Sequence, residues 1–286
     1  LGLAFDERYP GKRISGTFDT MKINEEKLNA VLSSYGSVAI AFSGGVDSVL
    51  LARAASLAVK ENLLLVHVVS EFSPEQESGF AKLWASENNL PINIVKMKPL
   101  SDPDIQKNCP QRCYYCKLMI MKEVILEAEK NGIKIIADGT NIDDFNDYRP
   151  GLKATDELGI KHPLTEAGFN KNMIRRLARK YGLPNWRNPA SACLASRVPY
   201  NTSLESEALK RIDKAEVFLK KLGVDKCRVR LSSDGNARIE TIPLYFKRII
   251  ENRKTIDKCF FKLGFQETSL DLKGYRTGSL NEKIKK

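Results

Sequence analysis

The chain has 286 residues, 42% of them hydrophobic and 28% charged, enough to bury one large core or two ordinary ones. This composition excludes an intrinsically disordered chain and a disulfide-stapled miniprotein, and no run approaches the roughly 20 apolar residues of a membrane-spanning helix. The net charge of +11 is uneven: residues 1–170 hold 19 Lys and Arg against 23 Asp and Glu, and residues 171–286 hold 27 against 12. The basic part is expected to face an anion such as phosphate, a nucleotide or RNA. The N-terminus lacks the order of a signal peptide, and Cys109, Cys113 and Cys116 lie within eight residues of one another. These thiols read as reduced groups kept for metal or redox chemistry in a cytoplasmic protein.

Residues 1–20 show no sustained periodicity and are read as an N-terminal extension or expression remnant, with Met21 as the natural start and the opening of a helix. Short apolar runs at 37–43 and 63–70 are expected as strands buried on both faces, separated by a helix in SVLLARAASLAV. His67, inside the second run, reads as a satisfied core residue. A helix in SGFAKLWASEN precedes a third strand at 92–97; then follow a polar loop holding the cysteines, a helix in KLMIMKEVILEAEKNG and a fourth strand at 134–139. This alternation predicts an α/β fold, a parallel, doubly wound sheet over 21–190 with ligands at the carboxyl ends of its strands. A loop at 141–151 leads to the basic helix NKNMIRRLARKYG, and an irregular stretch at 185–202 reads as a domain boundary. Helix, two strands, helix and strand then make a small α+β domain over 200–286, expected to serve substrate binding or oligomerisation.

Ser43-Gly44-Gly45-Val46-Asp47-Ser48 stands directly after a strand and directly before a helix. Two glycines allow close approach of backbone to an anion, the helix N-terminus offers free N–H groups, and the serines add hydroxyl donors, which together make a phosphate cradle. The spacing is neither a Walker A sequence nor a dinucleotide fingerprint. It resembles the SGGxDS loop of the PP-loop ATP pyrophosphatases, Rossmann-like adenine nucleotide alpha hydrolases that split ATP between its α- and β-phosphates and adenylate a substrate oxygen.

Three further segments narrow the resemblance: Arg112-Cys113-Tyr114-Tyr115-Cys116-Lys117; Asp138-Gly139-Thr140-Asn141 with the later Asp147 and Arg149; and Ala192-Cys193-Leu194-Ala195-Ser196-Arg197. With the loop they resemble the LarE family, sulfur-inserting enzymes of nickel-pincer nucleotide biosynthesis, from about Met21 to about Gly278. The resemblance implies that ATP and Mg²⁺ bind at Ser43–Ser48, with Asp138, Gly139, Thr140 and Asn141 at the strand end and Asp147 and Arg149 ordering the loop above. It implies that Arg197, Glu216, Arg228 and Arg230 bind a pyridinium dicarboxylate mononucleotide, whose carboxylate is adenylated before a sulfur nucleophile displaces AMP. Lys117 is expected to steady the adenylate or phosphate, and Tyr114 and Tyr115 either wall the substrate ring or pack.

The cysteine that one branch of the family sacrifices falls here at Ala192. Cys113, Cys116 and Cys193 instead match the members that carry a [4Fe-4S] cluster on three thiolates, with one iron free for an extra sulfide. Zinc, with Cys109 as a fourth ligand, and persulfide or sacrificial donation from Cys193 are the competing readings. Cys227 and Cys259 read as buried small hydrophobes. A sulfide or persulfide donor and a homo-oligomer are implied, and nucleic acid is not expected. The rival function is a PP-loop tRNA thiolase, with the basic half gripping RNA.

Overall fold

The computed structural model describes residues 16–146, 150–188, 192–232, 234–276 and 280. Helix α1 (Gly16–Ser34) leads into strand β1 (Val38–Ala41), helix α2 (Val46–Ala58), strand β2 (Leu63–Val69), helix α3 (Glu75–Glu87) and strand β3 (Ile92–Lys96). A short helix α4 (Pro103–Gln106) and the long α5 (Arg112–Lys130) return the chain to strand β4 (Ile136–Ala137). All pairings are parallel and the order is β3-β2-β1-β4. The order reverses between β2 and β4 around β1, so the turn leaving β1 lies at the switch point where doubly wound sheets bind ligands.

Residue alternation explains why these strands sit in the middle. Val38 and Ile40 of β1 and Leu63 and Leu65 of β2 enter one apolar cluster, with α1, α2, α3 and the later Ile174, Leu177 and Ala178. Ala39, Leu64 and Val66 enter another on the opposite face, against Met121, Val124 and Ala128 of α5. Successive strand side chains leave opposite faces, so a continuous apolar run is what two covered faces require. His67 is buried, its Nδ1 2.7 Å from the Phe42 carbonyl, and burial lowers its pKa.

After β4 come α6 (Pro150–Glu157), α7 (Pro163–Glu166) and α8 (Lys171–Lys180), the last capped by the Asn170 side chain accepting from the Met173 N–H. Helix α9 (Ser206–Lys221), strands β5 (Cys227–Leu231) and β6 (Ala237–Thr241), helices α10 (Phe246–Glu251) and α11 (Arg253–Lys262) and strand β7 (Thr268–Leu270) complete the fold. Here β5 and β6 are antiparallel and β6 and β7 parallel. Their apolar core takes Phe72 and Ile105 from the first half, with Tyr115, Cys116 and Met119 of α5 against it.

Four expectations change. Helix α1 begins at Gly16, before Met21. Cys113 and Cys116 lie in the first turns of α5, which starts at Arg112, and not in a loop; Gln111 marks the start without a side-chain cap, so no sequence signal announces it. Residues 150–157, of which 150–151 are expected as the end of a loop and the rest carry no expectation, form α6. The second of the two helices expected in the C-terminal domain is two, broken at Asn252, whose side chain turns back onto the Arg248 carbonyl at 2.8 Å.

Candidate functional site

The turn after β1 is built around two glycines. Gly44 has φ +80°, and a Cβ there would meet the Ala81 Cβ at 3.1 Å, so α3 closes directly over the turn. Gly45 caps α2 with no side-chain hydrogen bond to the first-turn N–H groups, the arrangement in which a helix start can donate to an anion. The hydroxyls of Ser43 and Ser48 lie 3.1 Å apart, and Ser48 donates to the Gly45 carbonyl. Gly139 seals the back: a Cβ there would sit 3.0 Å from the Ser48 nitrogen. Asp47 pairs with Lys171 at the start of α8, while its other oxygen is buried without a hydrogen bond.

Asp138, at the end of β4, is a hub. One oxygen accepts from the Lys117 ammonium at 3.0 Å; the other accepts from His162 Nδ1 at 2.8 Å and the Thr140 N–H at 3.0 Å. Burial works against the carboxylate, but the Lys117 charge and then His162 overcome it and hold Asp138 well below the usual carboxylate range. Burial likewise lowers His162, and its bond to Asp138 reverses the shift, leaving it above its ordinary value. Asn141 is spent on the local turn, donating to Asp144 at 2.9 Å and accepting from the Asp143 N–H at 3.1 Å. Asp147 and Arg149 lie outside the described residues.

One turn before Lys117 along α5 is the sulfur face. Arg112 is buried at 2% exposure; it donates to Asn108 Oδ1, to the Ala195 carbonyl at 3.1 Å and to Cys113 Sγ at 3.5 Å. The Ala195 contact ties the loop of Cys193 to the helix carrying Cys113 and Cys116. Burial lowers the Arg112 pKa and the thiols of Cys193 and Cys113 reverse that, to above its usual value. Burial, then the charges of Cys193 and Cys113, pushes the Cys116 thiol up to about 12. All three thiols thus share one electrostatic neighbourhood. Among the described residues no three His, Cys, Asp or Glu gather closely enough for a single metal ion, and Cys109 donates to the Asp104 carbonyl at 3.8 Å. Three thiols without a fourth protein ligand are the donor set that a cluster with one open iron takes, whereas a structural zinc site takes four. Cys227 is buried and pushed up to about 12 by that burial; Cys259 is half-buried.

Strand β5 supplies the basic wall. Arg197 grips Glu216 with two bonds of 2.9 and 3.0 Å and donates to the Ala192 carbonyl at 2.6 Å. Glu216 also accepts from the Val229 N–H at 3.0 Å. Arg230 pairs with Glu240 at 2.9 Å. Arg228 lies over the Tyr275 ring at 4.8 Å; burial, and then the charges of Arg197 and Arg230, lower its pKa despite Tyr275. A cleft of about 420 Å³ joins the loop Gly44–Val46 to Arg197, Glu216, Arg228 and Tyr275, so the two halves of the chain share one cavity. A second cavity of about 750 Å³ adjoins it through Arg197 and contains Arg230.

Residues that composition did not single out also belong here. Lys171, His162 and Asn185, whose amide donates to the Gly44 carbonyl at 3.0 Å, act across long sequence separations, and no local pattern marks them. Arg112 was visible as part of the RCYYCK segment but carried no role.

A parallel sheet with this glycine turn at its switch point defines an α/β protein of the Rossmann-like PP-loop type. No family model matches the chain. It is 35% identical over 268 residues to pyridinium-3,5-bisthiocarboxylic acid mononucleotide synthase of Lactiplantibacillus plantarum, covering 93% of this chain and 97% of that one. It is 34% identical to an uncharacterized protein of Synechocystis over 92% of this chain and 99% of the other. An uncharacterized protein of Methanocaldococcus jannaschii is 31% identical over 84% of this chain and 91% of its own. The chain belongs to the LarE family.

Proposed function

We propose that this chain is an ATP-dependent sulfur insertase. It adenylates a carboxylate of pyridinium-3,5-biscarboxylic acid mononucleotide, releasing pyrophosphate, and replaces AMP by sulfur to give a thiocarboxylate. The observation that carries this reading is the shared cleft, lined both by the glycine turn, which no side chain caps, and by Arg228, a buried guanidinium with no bonded carboxylate among the described residues. The likeness to a synthase whose product is a bisthiocarboxylic acid mononucleotide supports it.

The residues divide the work. N–H groups of Gly44–Ser48 with the two serine hydroxyls hold the β- and γ-phosphates, and Asp47 would help to hold Mg²⁺, which would neutralise phosphate charge. Lys171 balances Asp47 until nucleotide arrives. Arg228 takes the substrate phosphate, and the Arg197–Glu216 pair holds that wall and the 192–193 backbone in place. Lys117, fixed by Asp138, faces the negative charge that develops at the adenylated carboxyl. Cys113, Cys116 and Cys193 would hold a [4Fe-4S] cluster, which when bound supplies exchangeable sulfide. Residues 21–190 form the nucleotide-binding domain and 200–286 the substrate-binding and assembling one.

Incubation with Mg²⁺-ATP tests the reading. Pyrophosphate is expected only when the pyridinium dicarboxylate mononucleotide is added, with AMP following when sulfide is supplied, and neither is expected with tRNA. Pyrophosphate formation with tRNA alone would overturn it in favour of a thiolase.

A further inference from the structure

Side chains at 226, 228 and 230 leave one face of β5 and the residue before it, while Cys227 and Val229 enter the core on the other. That face therefore carries three cations in a row. Arg230 is matched by Glu240, as Arg197 is by Glu216, but among the described residues neither Lys226 nor Arg228 forms an ion pair with a carboxylate. Both lie instead over one aromatic ring, that of Tyr275, at 5.2 and 4.8 Å from its centroid. All three residues line the cleft shared with the glycine turn. Their support is built in. Thr241, fully buried, donates its hydroxyl to the Lys226 carbonyl at 2.7 Å, and its own carbonyl accepts from the Tyr275 N–H at 3.0 Å. Gly274, at φ +71°, lets that tail close, since a Cβ there would stand 2.8 Å from the Thr241 oxygen. Of the other charged groups at this end of the cleft, Lys220 donates to Gln76 at 3.1 Å and Asp225 is exposed.

From this geometry we infer that Lys226 and Arg228, carried on the Tyr275 ring, form one binding site for a phosphate monoester, with Lys226 its second cation and Tyr275 the residue that positions both. Charge supplies the reason. A monoester carries about two negative charges at pH 7, more than Arg228 alone neutralises, and Lys226 supplies the balance. A planar guanidinium offers a fork to phosphate oxygens and an ammonium adds a point charge. An aromatic face holds both cations without cancelling their charge, as a carboxylate would. Specificity follows: the cleft reads the terminal phosphate of a mononucleotide and discriminates against the nucleoside. The inference rests on the reading that this cleft takes the pyridinium mononucleotide, and it adds Lys226 and Tyr275 to the residues that recognise it.

The test uses full-length protein saturated with Mg²⁺-ATP and two probes that have no carboxylate to adenylate, nicotinamide mononucleotide and nicotinamide riboside, which differ by the phosphate. Dissociation constants are read by calorimetry. The unaltered protein is expected to prefer the mononucleotide by more than about tenfold. Lys226→Gln is expected to weaken mononucleotide binding about tenfold, the worth of one charge-assisted bond, and to leave riboside binding unchanged, whereas Lys226→Arg retains most of the affinity. Tyr275→Phe keeps the ring and the affinity, and Tyr275→Leu loses about as much as Lys226→Gln. Should Tyr275→Leu fail to fold, the two substitutions of Lys226, a half-buried side chain, decide alone. Equal affinities for the two probes in the unaltered protein, no measurable binding of either included, overturn the assignment. So does a Lys226→Gln protein that binds the mononucleotide as before or weakens both probes alike. Pyrophosphate formation from the dicarboxylate mononucleotide is measured in parallel. If it is normal while Lys226→Gln leaves the binding untouched, only this inference falls; if it is absent in the unaltered protein, the function proposed above falls, and the two probes still judge the phosphate site.

Discussion

Arg228 and Arg197 sit 31 residues apart by number and share a cleft, yet they are expected to fail differently. Arg228 faces space, so Arg228→Gln is expected to raise KM for the pyridinium nucleotide about tenfold to a hundredfold, the worth of a charge-assisted bond, while KM for ATP holds; steady-state kinetics check this. Arg197 faces Glu216 at 7% and 5% side-chain exposure, so Arg197→Met strands a buried carboxylate and is expected to cost about 3–5 kcal/mol of stability, read by urea unfolding. His162 gives a pH signature. Its folded pKa is raised above the ordinary 6.5, so its stabilising charge is fully present below about pH 6.5 and is lost as pH rises through the folded value. Melting temperatures across pH 6–9 should fall more in the unaltered protein than in His162→Gln; parallel curves would remove the Asp138–His162 charge pair from the account. The glycine turn after β1 was legible because its residues are consecutive. Arg112 and Lys171 were not, because their partners Ala195 and Asp47 lie 83 and 124 positions away and only the folded sheet brings them together.

At the scale of elements, strands β1 and β2 could be read from their apolar runs because two buried faces erase the polar alternation that one face would leave. The start of α5 could not: no side chain caps it, and the helix is held there by its contacts, Arg112 to Ala195 and Cys116 to the second half's core. The turn after β4 packs closely on the start of α2. Gly139→Ala places a methyl 3.0 Å from the Ser48 nitrogen and 3.1 Å from the Asp47 Cβ, backbone and near-backbone atoms that do not swing aside. It is expected to cost about 1–3 kcal/mol and to raise KM for ATP, whereas Gly132→Ala, a positive-φ turn glycine with nothing within 4 Å, is expected to lower stability by strain alone and leave that KM unchanged.

Across the whole molecule, charge and architecture agree. The acidic half carries the glycine turn proposed to hold the nucleotide through backbone N–H groups, and the basic half carries the arginine wall of the same cleft. Among the described residues no helix is long and apolar enough to cross a membrane. Protein purified without oxygen is expected to hold about four irons and at least four sulfides per chain, both lost in Cys113→Ala; zinc in their place, or no metal with full activity, would return Cys193 to persulfide chemistry. The most direct test of the central claim is the mass of the mononucleotide after incubation with this protein, Mg²⁺, ATP and sulfide. The account predicts a shift corresponding to oxygen replaced by sulfur, with one pyrophosphate formed per sulfur inserted and no shift when ADP replaces ATP. An unchanged dicarboxylate alongside sulfur-labelled tRNA would contradict it.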